Sequence, residues 1–189
     1  MLIFVIEGVI TLFVVGMIVG VLGERVKHPI SIAVNLFVIG LFFTLGSLMN
    51  VELGRPSGNG NLAWFLVIPL AALGLVLLYQ LYAARLLRRF TPLALAFVLL
   101  GLFAHQAAGF DLQHARYRHL QEKAALINRQ TTASQGGYPV SLNWESMHMN
   151  GHFFHLNTYL LFVGWIAIVA VVWLLVETLL RRRKGEEPS

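Results

Sequence analysis

Cysteine is absent from the 189-residue chain. That absence excludes a disulfide framework, a thiolate metal site, a haem held through thioether links and a thiol nucleophile. Any metal ligand must then be His, Asp, Glu or a neutral oxygen. Charge is scarce as well. Asp, Glu, Lys and Arg make up 12% of the residues, against about 25% in an ordinary soluble domain. The N-terminus lacks the basic region and the small-residue cleavage site of a signal peptide, so the first apolar run is read as a retained span. No internal repeat, low-complexity tract or second domain stands out.

Apolar residues take the place of the missing charge. They account for 57% of the chain, and the mean hydropathy is +0.71. A soluble fold of this size still needs a polar skin. A bilayer removes that requirement, because apolar surface can face lipid. The net charge of +5 could point to nucleic acid. Here, however, the basic residues gather at the ends of apolar runs, as topology signals do, and nucleic acid is excluded as a partner. Membrane lipids and other membrane subunits are the expected partners.

A membrane helix needs about 20 apolar residues to cross roughly 30 Å of hydrocarbon. Such runs fall at 2–22, 30–49, 62–84, 91–110 and 156–180. Pro29 and Pro92 suit the first turns of the second and fourth runs. The expected fold is all-α: a polytopic membrane helix bundle of five transmembrane helices in one domain over residues 1–189. The one long polar stretch is 111–155. Its first part, 111–130, has no Gly or Pro and should continue the fourth helix out of the membrane. The stretch 131–139 (TTASQGGYP) reads as a turn. Ser141 or Asn143 could then cap a helix running unbroken into the fifth span.

Orientation follows from Arg and Lys. Arg25, Lys27, Arg85, Arg88, Arg89 and the cluster Arg181, Arg182, Arg183 and Lys184 lie close to helix ends on one side. Arg55, Arg116, Arg118, Lys123 and Arg129 lie on the other. The denser set should be cytoplasmic. That places the N-terminus outside, the C-terminus inside, and the extensions of spans four and five on the outer side. The expected location is a bacterial inner (cytoplasmic) membrane. In the first span Gly16-x-x-x-Gly20 is a small-residue packing pattern.

Of seven histidines, His28 stands alone at the cytoplasmic side. The others fall at or beyond the outer half of the bilayer. Glu145, His148, His152 and His155 are spaced i, i+3, i+7, i+10, which forms one stripe on a helix, and Tyr159 extends it by a turn. Histidines three or four apart on a helix can share one metal ion, and Glu-x-x-His is the ligand unit of di-iron bundles. His105 lies inside span four, about 21 Å up from the inner boundary and ~9 Å below the outer edge by rise per residue. An ionisable residue at such depth is a functional candidate. Glu7 comes out at about 23 Å, and Ser47, Asn50 and His155 fall near the same level.

Three readings follow. The first is a His-rich metal site at the outer leaflet: His105, His148, His152 and His155 as ligands of Zn, Fe or Cu, Glu7 or Glu145 as ligand or general base, and a lipid-like substrate entering sideways. The second is a haem b site in a quinone-linked electron-transfer subunit, with His105 paired with His152 or His155 as axial ligands. The third is a non-catalytic subunit or assembly factor of a membrane complex, its histidines solvated.

Overall fold

The computed structural model describes residues 28–49, 62–84, 90–133 and 153–183, and all of its elements are helical. Helix α1 is Pro29–Leu48. A 3-10 turn, Leu62–Leu66, leads into α2, Val67–Ala83. Helix α3 is Pro92–Ala133 and α4 is Leu156–Arg183. The run 2–22, the first expected span, lies outside the described residues.

Local signals set the helix starts. His28 is the N-cap of α1: its Nδ1 accepts the Ile30 N–H at 3.3 Å, and Pro29 follows where no N–H is needed. Thr91 does the same for α3, its hydroxyl accepting the Ala94 N–H at 3.2 Å, with Pro92 next. Among the described residues three helices are long and apolar enough to cross a membrane: α1, α3 over Pro92–Gln130, and α4. Helix α2 is apolar but has 17 residues, a rise of about 26 Å. The 3-10 turn before it adds roughly 10 Å.

Helix α3 has 42 residues, a length of about 63 Å and twice a hydrocarbon core. It continues without interruption from its apolar half into the polar sequence 111–133, as the composition predicts. The second continuity fails. The chain turns at Phe153 to His155 and becomes helical only at Leu156. Thr158 is the reason. Its hydroxyl oxygen accepts the His155 N–H at 3.2 Å and lies within reach of the Phe153 and His155 carbonyls. The Tyr159 N–H makes the first helical bond, to the His155 carbonyl. His155 is therefore the cap of α4 and not a residue in the middle of a longer helix.

Helix α4 is central and packs against α1, α2 and α3. One core joins α1, α2 and α4 through Ile39, Phe43, Leu70, Leu77 and Phe154. Phe43 is its hub, with the rings of Phe153, Phe154, Tyr159 and Phe162 at 5.7 to 6.1 Å between centroids. A second, smaller core joins α3 and α4 through Leu95, Val171 and Leu174.

Candidate functional site

Among the described residues, every buried polar side chain but Thr158 is an amide. Asn35 and Gln80 are both buried. The Asn35 Nδ2 donates to Gln80 Oε1 at 2.9 Å and to the Leu73 carbonyl at 3.1 Å, tying α1 to α2. Between α3 and α4, Gln106 Nε2 donates to the Leu161 carbonyl at 3.1 Å. Asn157 Nδ2 donates to the Gly109 carbonyl at 2.9 Å. Gly109 and Gly164 let these helices approach, since a Cβ at Gly109 would meet Leu161 Cδ2 at 2.6 Å and one at Gly164 would meet the Gln106 amide. This is membrane-helix packing by small residues and interhelical hydrogen bonds. The sequence signal for it was a lone amide within each apolar run, and the histidines drew attention away from Gln80 and Gln106.

These bonds fix the antiparallel register of α3 against α4 and so place the candidate histidines. His105 is level with Gly164, where an added Cβ would lie 3.4 Å from its Nδ1. Its ring is nevertheless exposed, while the adjacent Gln106 turns into the interface and is buried. Sequence counting reads His105 as a buried residue deep in the span, and its exposed ring corrects that reading. Gly164 is eight helical residues beyond Leu156, a rise of roughly 12 Å. His105 and His155 therefore stand at different levels. This is an offset between backbone positions, and it sets the two histidines apart along the bundle.

His155 has different company. It lines an open-sided cavity of about 450 Å³ between α1 and the start of α4, together with Thr44, Ser47, Tyr159 and the apolar Leu36, Phe37, Gly40, Leu41, Phe43 and Leu156. The volume falls within the range of small-molecule sites. Its polarity is graded. Thr44 spends its hydroxyl on the Gly40 carbonyl at 2.9 Å, and the Tyr159 hydroxyl points at the Leu36 carbonyl at 3.4 Å. Ser47 is exposed and His155 half-buried at one end. The structure thus brings together two residues that sequence counting put at one level, Ser47 and His155, and sets His105 apart.

The remaining candidates, Glu7, Glu145, His148 and His152, lie outside the described residues, as does Asn50. Among the described residues no group of three His, Asp or Glu side chains is placed to hold a metal ion. Comparison with protein-family models, with curated proteins and with solved structures finds no match to this chain. What the fold and the cavity define is a class: the described residues are helical, with three helices long and apolar enough to span a membrane and a lateral groove between two of them.

Proposed function

We propose that this chain is an integral membrane protein, of a bacterial inner membrane, that takes a lipid-like molecule into the groove between α1 and α4 with the molecule's polar end at Ser47 and His155. One observation carries the reading. The cavity is apolar along Leu36, Phe37 and Leu41 and polar at the end formed by Ser47 and His155, the grading of an amphipathic ligand. Its side is open, so a ligand can enter from the lipid without passing through water. The metal reading attaches to the same end. His155 ends the sequence run Glu145, His148, His152, His155; the turn at Phe153 to His155 takes it off a single helical stripe, so a Zn, Fe or Cu ion held by His148, His152 and His155, with Glu145 beside it as a base, would bridge that turn and stand over the ligand's head.

The test uses Gly40, which lines the groove. A Cβ there meets only Tyr159 Cε2, at 3.9 Å, an ordinary contact, so the side chain of Gly40→Leu has the cavity to enter. Purified protein in detergent is titrated with a fluorescent acyl-chain probe. Gly40→Leu should abolish saturable binding, and His155→Ala should weaken it several-fold. Unchanged binding in Gly40→Leu would overturn the proposal.

One observation favours a second reading, that of a subunit in a larger membrane complex. His105 is exposed on a helix long and apolar enough to span the membrane. Polar side chains within spans face protein or a water-filled cavity, and a neighbouring subunit would supply that cover. Affinity purification of wild type and His105→Ala in a mild detergent tests it, with loss of a stoichiometric partner the expected result.

A further inference from the structure

Beyond the apolar half of α3, at Gln113 and Arg116, three polar atoms are buried with no hydrogen-bond partner: Gln113 Nε2, Gln113 Oε1 and Arg116 Nε. Gln113 is only 5% exposed. The two residues are three apart and so neighbours on one face of the helix. Leaving such atoms unpaired is costly, so a bound group or ordered water belongs there. Two of the three atoms are donors, and one of them sits on a guanidinium that carries its charge throughout the physiological range. Arg116 is only partly exposed, a cation held partly out of water. The only ion pair among the described residues is Arg181 with Glu177, at the far end of α4. A half-buried cation without a carboxylate calls for an anion.

Height along α3 narrows the choice. The register puts Gly109 beside Asn157, one residue inside the start of α4. Gln113 and Arg116 stand about 6 and 10 Å further along, just past the apolar half of the helix, where lipid headgroups lie. Around them, residues 111–130 hold Arg116, Arg118, Lys123 and Arg129 against Asp111 and Glu122, a band of net positive charge that concentrates anions.

We propose that Gln113 and Arg116 form a phosphate site at the membrane surface, filled by the phosphodiester of a phospholipid headgroup or by a free phosphate. Gln113 Nε2 and Arg116 Nε donate to phosphate oxygens, in the charge-assisted manner that suits Arg. Gln113 Oε1 accepts from a hydroxyl of the headgroup or from a water held by the phosphate. The proposal is independent of the groove between α1 and α4, since it uses another helix and other atoms.

The full chain is purified in a phosphate-free detergent buffer, and co-purified phospholipid per chain is counted by mass spectrometry after incubation with dioleoyl-phosphatidylglycerol. Wild type should retain about one molecule per chain. Arg116→Gln should lower retention by about tenfold or more, and Arg116→Lys by less, since it keeps the charge and loses the fork. Gln113→Met, which swaps the orphaned amide for an apolar chain of like length, should lower retention while leaving thermal stability equal or higher. Arg118→Gln, at an exposed neighbour, should change nothing. Adding inorganic phosphate separates the sources: retention that survives millimolar phosphate identifies the headgroup, and displacement identifies the free anion. Equal losses in Arg116→Gln and Arg118→Gln would reduce the effect to diffuse charge and overturn the site. Retention unchanged in Arg116→Gln, Arg116→Lys and Gln113→Met would mean that water alone occupies it, and would overturn it too.

Discussion

Gln106 occupies the space that a side chain at Gly164 would need. Its Nε2 uses that space to reach the Leu161 carbonyl at 3.1 Å. The bond and the glycine are thus one device, and α3 meets α4 closely only while both are present. Gly164→Ala should force the Gln106 amide, the end of a flexible chain, out of its bond. In membrane proteins such bonds are worth about 0.6 kcal/mol on average and up to about 1.7, so a loss of about 1 kcal/mol is expected. Gln106→Ala should cost a similar amount, and adding Gly164→Ala to it should cost little more. A double-mutant cycle by denaturant unfolding in detergent measures this, and simple additivity would show that the two residues do not act together.

A glycine on α1 should behave differently. A Cβ at Gly46 would run into the ring of Phe154. Phe154 is 2% exposed and held edge-on by Phe43 at 5.7 Å and Phe153 at 5.5 Å. A ring fixed on both sides cannot swing aside as Gln106 can. Overpacking of this kind costs about 1–3 kcal/mol. Gly46→Ala should therefore lower the detergent melting temperature more than Gly164→Ala does. An equal or smaller shift would mean that Phe154 has room to move.

The buried amides of α1 and α2 offer a sharper comparison. Asn35→Leu leaves Gln80 without its 2.9 Å partner, and Gln80→Leu deprives Asn35 of the same bond. Each single change should cost about 1–2 kcal/mol, since it strands a buried polar group. The double replacement strands neither, and it should be no worse than the poorer single. Unfolding of the four forms under one set of conditions decides it. A double variant that loses the sum of both singles would mean that shape, and not the hydrogen bond, joins the helices.

Span signals proved legible where they were local. Pro29, Pro92 and Thr91 mark real helix starts, and the lack of Gly and Pro after Phe110 carries α3 on to Ala133. Rise per residue put Ser47 and His155 at one level, as the structure does, but it put His105 there too, and the register of α3 on α4 sets His105 apart. Facing was not legible. Helix α3 is apolar all round over its first half, so nothing in the pattern says that Gln106 turns in and His105 out. The break before α4 was missed for another reason. It rests on Thr158 receiving the His155 N–H, a position where Glu or Gln is the usual signal, and the histidine spacing masked it.

Orientation rests on Arg and Lys alone, and reporter fusions test it directly. A reporter joined after Ser189 should be active only on the cytoplasmic side, and one inserted at Gly136 only outside. The reverse pattern would invert the topology. Activity on the same side for both would mean an even number of crossings between the two sites, against the single crossing expected of α4.

The separation of His105 from His155 makes the metal reading divisible. Ligands of one ion must converge within a few ångströms, and the register of α3 on α4 sets His105 at Gly164, roughly 12 Å along α4 from its start beside His155. A metal held at the outer end by His148, His152 and His155 would lie well along α4 from the level of His105. Purified wild type should carry a stoichiometric transition metal by elemental analysis. His152→Ala and His155→Ala should each empty the site, and the double variant should be no worse than either, because ligands of one ion act as a unit. His105→Gln should keep full occupancy. A chain that loses its metal in His105→Gln would need a register between α3 and α4 different from the one tied by Gln106 and Asn157. A wild type of proven integrity that binds no added zinc, iron or copper would remove the metal and leave the groove to hold its ligand without one.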